Sequence, residues 1–263
     1  MTARAVRLDA AVAERAGVTR SRARSLIMEG RVRVNGVVAT KAGQNAVPSA
    51  VIEVERPRRF VSRGGEKLDY ALDTFGIDAR GTSALDVGAS TGGFTDALLQ
   101  RGAAAVTALD VGYGQLDWRL RNDPRVRVME RVNFRLLGDD AFPDGFDGIV
   151  IDASFISLRT LLARARAYLR PGGAIVALIK PQFEAGRDRL GSGGVVRDAH
   201  VHRDVLHEVC VAAQALGLIP VALIASPLRG PAGNREFFVE LRTEGTAIGS
   251  ERIDAVAGDS KAP

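Results

Sequence analysis

The chain has few of the residues on which disulfide-bonded and metal-binding proteins depend. It contains one cysteine, Cys210, and three histidines in 263 residues. A disulfide framework and a cysteine-rich metal site are therefore excluded. Cys210 lies in an apolar helical pattern, which favours a buried structural thiol over a catalytic one. His200 and His202 open a predicted helix, where surface or capping positions are favoured over metal ligation, so we expect no metal.

Long hydrophobic runs are also missing. No apolar run approaches the roughly 20 residues that span a bilayer, and the N-terminus lacks the apolar region of a signal peptide. We therefore expect a cytoplasmic protein without a membrane partner. The length suffices for one sizeable core and a smaller module. Nothing in the pattern indicates an oligomeric state.

Positive charge is concentrated near the N-terminus. Residues 1–60 carry twelve Arg or Lys and five Asp or Glu, a net charge of +7, whereas the remainder carries −2. A nearly neutral main domain with a basic head favours a polyanionic partner. Solvated surface charge is the alternative, and the placement of the arginines decides between them.

The basic head reads as two helices followed by a hairpin. An apolar spacing at Leu8 and Val12 predicts a short helix, and a second helix follows Thr19 as its N-cap. Asn35-Gly36 is a strong hairpin-turn signal, and residues 51–54 supply a further strand. Arginines fall on the second helix and on the first hairpin strand.

This arrangement resembles the S4 RNA-binding domain. The resemblance implies RNA contact through guanidinium groups, which bridge phosphates and stack on bases. We expect an S4-like α+β domain over residues 1–55 and an interdomain linker over 56–61. The arginines expected to contact RNA are Arg7, Arg20, Arg22, Arg24, Arg31, Arg33, Arg59 and Arg63.

From Val61 onward, apolar strand candidates alternate with helical stretches. This alternation predicts an α/β domain over residues 62–242, with a mostly parallel, doubly wound sheet. The tail over 243–263 is rich in Gly, Ala and Ser, and we expect it to be mobile. The strand candidates are 84–87, 105–109, 126–129, 148–151, 173–179, 219–225 and 236–241.

The first of these strands runs into a glycine-rich turn and a helix that begins near Gly92. Such a turn needs glycine, and the N–H groups at the helix start attract a carboxylate or phosphate. The next strand ends in Asp110, where an acidic residue can hold a ribose diol. Neither the dinucleotide fingerprint nor a P-loop is present. Asp86-Val87-Gly88 with a later Gly-Gly is similar to motif I of class I S-adenosylmethionine methyltransferases, and a plain chain reversal is the alternative.

Four charged residues stand at places where packing does not call for them. Asp152 and Lys180 each end an apolar strand, Lys67 precedes the helix before the first strand, and Glu236 opens the last strand. Ligands of open parallel sheets bind beyond the carboxyl ends of the strands. A buried ion-pair network without function is the alternative, although its desolvation would be costly.

Residues 61–242 look like the FtsJ-type ribose methyltransferases, which are marked by a Lys-Asp-Lys-Glu tetrad. With the S4-like head, residues 5–242 resemble the TlyA-type ribosomal RNA 2′-O-methyltransferases, also labelled haemolysins. This resemblance rests on five motifs together: Val61-Ser62-Arg63-Gly64-Gly65, Gly88-Ala89-Ser90-Thr91-Gly92-Gly93-Phe94-Thr95, Asp110-Val111-Gly112-Tyr113-Gly114-Gln115-Leu116, Ser154-Phe155-Ile156-Ser157-Leu158 and Lys180-Pro181-Gln182-Phe183-Glu184.

The resemblance implies a Rossmann-like methyltransferase sheet, S-adenosylmethionine as cofactor, and ribosomal RNA or ribosomal subunits as partner, with cytidine ribose as target. It implies that Lys67, Asp152, Lys180 and Glu236 form the catalytic tetrad. We expect the cofactor to be bound by Gly88, Ala89, Ser90, Thr91, Gly92, Gly93, Phe94, Asp110 and Asn133, the last of which follows the third strand.

A ribose 2′-hydroxyl is a poor acid, so a nearby amine helps in one of two ways. A neutral amine accepts the proton, and a charged amine stabilises the developing alkoxide. A free lysine has a pKa of about 10.4, which burial and a second cation lower and carboxylates raise. We expect Lys180 to be the base, with Lys67 and the two carboxylates positioning both this amine and the 2′-hydroxyl.

One position departs from the family pattern. Some members carry tryptophan in an Arg-x-Trp-Val linker motif that couples RNA contact to cofactor binding, whereas this chain has Phe60 in Arg58-Arg59-Phe60-Val61. Three other functions remain open at this point: a non-catalytic S4-type assembly factor, a pore-forming cytolysin, and a methyltransferase acting on a small molecule. The cytolysin would need a spanning helix or long alternating strands, and neither pattern is found.

Overall fold

The computed structural model describes residues 6–47, 49–55 and 59–258. The chain divides into two compact units, Met1–Arg58 and Arg59–Pro263. Linker residues 56–58 and the end of the expected tail, 259–263, lie outside the described residues.

The first unit is a small α+β domain. Thr19 caps the second helix, because its Oγ1 accepts a hydrogen bond from the amide of Arg22 at 3.2 Å. Asn35 and Gly36 both have positive φ, at 51° and 79°, as a tight two-residue hairpin turn requires. The predicted hairpin is therefore confirmed. Its elements are β1 (Val6–Arg7), α1 (Leu8–Ala16), α2 (Arg20–Met28), β2 (Val32–Val34), β3 (Val37–Val38), β4 (Asn45–Ala46) and β5 (Ile52–Val54).

The second unit contains all seven predicted strands in one sheet. Its elements are α3 (Arg63–Phe75), β6 (Ser83–Val87), α4 (Gly93–Gln100), β7 (Ala105–Leu109), α5 (Trp118–Arg121), β8 (Val126–Met129), β9 (Phe146–Ile151), α6 (Arg159–Tyr168), β10 (Leu169–Ile179), α7 (Pro181–Glu184), α8 (Ala199–Ala215), β11 (Ile219–Ala225), β12 (Phe237–Arg242) and α9 (Ser250–Gly258).

The strand order across this sheet is β11-β12-β10-β9-β6-β7-β8. The five strands from β10 to β8 are parallel, whereas β12 runs antiparallel to both of its neighbours. The carboxyl ends of the parallel strands therefore share one edge with the start of β12. The chain order reverses between β6 and β9, which is where open α/β sheets bind ligands.

Helices cover both faces of the sheet, as the doubly wound prediction requires. On one face, α3 and α4 bury Leu68 and Leu98. On the other face, α6 and α8 bury Leu162 and Val205 in a second apolar layer. In the part of the chain that the structure describes, no helix is both long enough and apolar enough to cross a membrane.

The expectation of a mobile tail is wrong for residues 250–258. They form α9, whose Ile253, Val256 and Ala257 are buried in the same apolar layer as α6 and α8. Arg235 caps the end of this helix by donating a hydrogen bond from Nη1 to the carbonyl of Ala257 at 2.9 Å. The small-residue composition of the tail concealed an apolar face that tertiary packing stabilises.

Candidate active site

Two ion pairs form where the parallel strands end. Lys180 follows β10 and Glu236 precedes β12, and these two strands pair in antiparallel register at Ile179 and Phe237. Lys67, on α3, has its Nζ 2.5 Å from Glu236 Oε2. Lys180 has its Nζ 2.7 Å from Oδ1 of Asp152, the residue that follows β9. The structure thus brings each predicted lysine to one predicted carboxylate.

The two pairs differ in their access to solvent. The side chains of Lys67 and Glu236 are 9% and 1% exposed, whereas those of Lys180 and Asp152 are 11% and 24% exposed. We call Lys67–Glu236 the inner pair and Lys180–Asp152 the outer pair. Gly230 leaves room for the inner pair, because a Cβ there would lie 2.5 Å from Glu236 Oε1. The outer pair is therefore the one that a substrate can reach more readily.

A cavity of about 420 Å³ opens beside the outer pair, at the ends of β6, β7 and β9. Gly88 lines it with φ at +86°, and a Cβ there would lie 2.8 Å from the carbonyl oxygen of Asp152. Only glycine permits this approach of the two strand ends. The predicted residues that line the cavity are Gly88, Ser90, Asp110, Asn133 and Asp152.

Asp110 presents a fixed carboxylate to this cavity. Its Oδ2 accepts a hydrogen bond from the amide of Ser90 at 2.8 Å, and its Oδ1 accepts one from the amide of Gly112 at 2.7 Å. An ionised carboxylate has about four acceptor sites, so capacity remains for two ligand hydroxyls. Leu109, Phe134 and Leu161 supply apolar walls. A diol acceptor beside apolar walls fits the nucleoside of S-adenosylmethionine.

Five residues expected to bind the cofactor do not line this cavity: Ala89, Thr91, Gly92, Gly93 and Phe94. Phe94 is buried, with its ring centroid 6.0 Å from that of Phe238. A Cβ on Gly93 would lie 2.2 Å from Ser62 Oγ, so this glycine lets α4 approach the start of α3. Gly93 and Phe94 therefore serve the packing of α4 and do not line the cavity.

Several lining residues were absent from the predicted set, among them Gln115 and Phe155. Gln115 Oε1 accepts a hydrogen bond from Ser90 Oγ at 3.2 Å. Phe155 is 91% exposed, and its backbone has a φ of +64°, which is rare for a bulky residue. Its ring packs on Phe183, with centroids 5.2 Å apart. The available signal was its position, three residues after the strand end at Asp152.

Asp86 lies beneath the glycine turn and is fully buried. Its Oδ2 accepts a hydrogen bond from Thr95 Oγ1 at 2.6 Å, whereas its Oδ1 has no partner within the described residues. Burial raises the pKa of Asp86 to about 7, and the charge of Asp152 adds to the increase. This carboxyl ties the end of β6 to the first turn of α4.

In the first unit, three predicted arginines converge on one buried carboxylate. Arg7, Arg20 and Arg24 contact the carboxylate oxygens of Asp9 at 2.9, 3.0 and 3.0 Å. The hydrogen bond from Arg7 is the largest influence that holds the pKa of Asp9 well below its usual range. The three arginine side chains remain about half exposed, so their guanidinium groups are accessible to an anion.

The other predicted arginines of the first unit form smaller groups. Arg22 and Arg31 both pair with Glu29, at 3.0 and 3.6 Å. Arg33 donates a hydrogen bond to the carbonyl of Gly36 at 3.1 Å.

In the second unit, Arg59 pairs with Asp69 on α3, and Arg63 donates a hydrogen bond to the carbonyl of Arg229 at 3.0 Å. Phe60 is buried, and a Cβ on Gly65 would lie 2.3 Å from its ring. The ring of Phe60 therefore packs on α3, at the motif position where some family members carry tryptophan.

Two protein-family models match the chain, one in each unit. The FtsJ-like methyltransferase model matches residues 60–243, and the S4 domain model matches residues 6–52. The chain is 47% identical to the 16S/23S rRNA (cytidine-2′-O)-methyltransferase TlyA of Mycobacterium tuberculosis, over 92% of this chain and 91% of that protein. It is 40% identical to Hemolysin A of Brachyspira hyodysenteriae, over 83% of this chain and 92% of that protein.

A solved structure from Streptococcus thermophilus, described as a hemolysin, superposes with a TM-score of 0.74. It is 39% identical and covers 96% of this chain and 94% of that one. The fold and the matched models define an S4-domain protein with a methyltransferase domain. The chain belongs to the FtsJ-like methyltransferase family, in the group that TlyA represents.

Proposed function

We propose that this protein transfers the methyl group of S-adenosylmethionine to a ribose 2′-oxygen of ribosomal RNA, with cytidine as the target. The observation that carries the proposal is the placement of Asp152. Its side chain pairs with Lys180, and the same residue lines the nucleoside-sized cavity. The Lys180 amine, the candidate proton acceptor, therefore lies directly beside a candidate cofactor site. The names of the M. tuberculosis and B. hyodysenteriae relatives differ, and the methyltransferase family favours the enzymatic reading.

Gly88, Ser90, Asp110 and Asn133 would hold the cofactor, which supplies an electrophilic methyl group when bound. The carboxylate of Asp110 would accept hydrogen bonds from its two ribose hydroxyls. Gly88 keeps the turn close to the end of β9, and the apolar walls would exclude water from the adenine base of the cofactor. Ala89, Thr91 and Gly92 make backbone hydrogen bonds within or beside this turn. Gly93 and Phe94 pack the helix that follows it.

Lys180 acts as the general base. To do so, Lys180 would first release the proton of its ion pair with Asp152. It would then accept the proton of the 2′-hydroxyl, as that oxygen becomes an ether and the carbon–sulfur bond of the methyl donor breaks. Asp152 and Ser154 hold this amine in place, at 2.7 and 2.8 Å from Nζ. Lys67 and Glu236 form the less accessible pair, and they position the substrate hydroxyl and the outer pair. No metal takes part in this scheme.

RNA binding is assigned to the six predicted arginines of the first unit, together with Arg59 and Arg63. Arg7, Arg20 and Arg24 present three half-exposed guanidinium groups around one carboxylate. Such planar donors fit phosphate oxygens in two-point contacts. The partner is ribosomal RNA within a ribosomal subunit.

The test compares Lys180→Ala with Lys180→Arg. Both variants should lose tritiated-methyl incorporation into ribosomal subunits, because a guanidinium does not give up its proton. Both should retain S-adenosylmethionine affinity, measured by calorimetry. Activity restored by arginine would show that Lys180 stabilises an alkoxide instead, and full activity of the alanine variant would remove it from the mechanism. Wild-type protein that bound no S-adenosylmethionine would indicate a non-catalytic RNA-binding factor.

A further inference from the structure

Glu184, the last residue of α7, is a buried carboxylate bound by the end of one loop and by the first residue of α6. It is 5% exposed. Its Oε2 accepts a hydrogen bond from Ser157 Oγ at 2.6 Å, and its Oε1 accepts one from the amide of Leu158 at 2.6 Å. Arg159 adds an ion pair through Nε at 3.2 Å. Burying a charge is costly without such partners, and here all of them come from three consecutive residues.

The loop that Glu184 holds is also the loop that contacts Lys180. It begins at the end of β9 with Asp152 and Ser154, which bind Lys180 Nζ at 2.7 and 2.8 Å. The helix that Glu184 ends starts directly after Lys180. Two contacts therefore join the same two segments, one at the amine and one a helical turn farther along.

Between these two contacts lies Phe155. Its φ of +64° is unfavourable for a bulky side chain, and such a conformation persists only where the surrounding structure holds it. Its ring packs on Phe183, which lies in the same short helix as Glu184. The segment that carries Asp152, Ser154 and Phe155 is thus fixed at both ends.

We propose that Glu184 is a positioning residue for methyl transfer, which holds the 152–158 loop so that Asp152 and Ser154 keep the Lys180 amine oriented. This inference rests on the proposed function. Glu184 itself touches no reacting atom in the scheme. Its effect on the reaction passes through the loop.

Glu208 on α8 provides a matched control. It pairs with the same Arg159, at 3.1 Å, but no described hydrogen bond or ion pair joins it to the 152–158 loop. Glu184→Gln keeps the shape of the side chain and removes its charge, and Glu208→Gln makes the same change on the far side of the arginine. Ser157→Ala removes one hydrogen bond from the loop side.

The experiment measures single-turnover methyl transfer at saturating ribosomal RNA and S-adenosylmethionine. We expect Glu184→Gln to lower the rate constant at least tenfold while the calorimetric Kd for S-adenosylmethionine stays within twofold. Ser157→Ala should lower the rate less. The losses of the two single variants should not add in the double variant Glu184→Gln/Ser157→Ala, because both changes break the same contact. Glu208→Gln should stay within twofold of wild type. Amide hydrogen exchange over residues 152–158 should increase in Glu184→Gln and not in Glu208→Gln.

A rate for Glu184→Gln within twofold of wild type would overturn the proposal, as would equal losses in the two glutamine variants. If Glu184→Gln fails to fold, Ser157→Ala decides alone: an unchanged rate and unchanged exchange would then refute it. An active Lys180→Ala variant would contradict the proposed base itself. Loss of activity in Lys180→Ala with none in Glu184→Gln would refute only the positioning role.

Discussion

Ile179 and Phe237 lie opposite each other where β10 and β12 pair. This register pair explains why residues 180 and 236 reach the same edge of the sheet. Because β12 is antiparallel to β10, it starts at the edge where β10 ends. A shift of one residue would turn every side chain of β12 to the other face. The position of Glu236 is therefore determined by the sheet rather than by the loop before it.

Lys67→Met should destabilise the protein strongly, because it leaves the carboxylate of Glu236 buried without a counter-charge. Breaking a buried pair in this way costs about 3–5 kcal/mol. Urea unfolding of Lys67→Met, Glu236→Gln and the double variant measures the coupling. We expect the double variant to recover most of the loss of the first, and strictly additive losses would contradict this interaction.

Asp86→Asn should change how stability depends on pH. The pKa of Asp86 rises from 3.8 to about 7 on folding, so the folded state binds the proton more tightly than the unfolded chain does. Ionisation therefore costs nothing below about pH 4, and its cost grows until about pH 7. Relative to wild type, the variant should gain up to about 4 kcal/mol across this interval. Denaturant unfolding at several pH values checks this, and a pH-independent difference would contradict it.

Asp9→Asn should loosen the three arginines of the first unit. Hydrogen bonds to charged groups contribute about 1.5–3 kcal/mol each when intact, and these arginines are half exposed, so we expect a loss of about 1–3 kcal/mol. Because the pKa of Asp9 is lowered, the stabilisation is present at neutral pH and is lost only in strong acid. Thermal unfolding measures the change. Glu29→Gln, which breaks exposed pairs, should cost less than about 1 kcal/mol.

The arginines around Asp9 also provide a test of the RNA surface. Replacing Arg20 and Arg24 by Ala should weaken binding to ribosomal RNA and reduce the salt dependence of the affinity, by about 0.7–0.9 in slope for each phosphate that these arginines no longer neutralise. Filter binding over a salt series measures this slope. A slope equal to that of wild type would show that the arginines around Asp9 do not bind phosphates.

Ile253→Ala tests the last helix of the described chain. Because Ile253 is buried against the sheet, we expect a loss of about 2–4 kcal/mol. The neighbouring Arg252 is exposed, so Arg252→Ala should stay within about 0.5 kcal/mol of wild type. Thermal unfolding of the two variants measures the difference. Equal stability of both would show that α9 does not contribute to the core.

The strands of the second unit could be predicted because a buried parallel sheet requires nearly continuous apolar runs. Ala105–Leu109 and Val126–Met129 were predicted with the bounds that the structure has. Asp152, Lys180 and Glu236 stood out because charged groups at strand ends have no packing reason, whereas Lys67 lies on α3. Their arrangement as two separate pairs depends on side-chain positions and was not visible in the sequence.

Other features depended on tertiary packing that no local pattern encodes. α9 was missed because its apolar face is short and is stabilised by the sheet and by Arg235. Gly93 and Phe94 were predicted to bind the cofactor because they belong to the glycine motif, yet they pack against α3 and β12. Phe155 lines the cavity with a positive φ, a conformation that phenylalanine rarely adopts, so its residue type did not indicate this position.

The insertion of β12 between β10 and β11 has a consequence for the order of assembly. β11 is synthesised before β12 but pairs with no other described strand, so it has no place in the sheet until the later strand arrives. The counter-charge of Lys67 arrives with the same segment. A nascent chain can therefore complete its arginine-bearing first unit long before it acquires a complete methyl-transfer centre, and it should engage RNA before it can modify it.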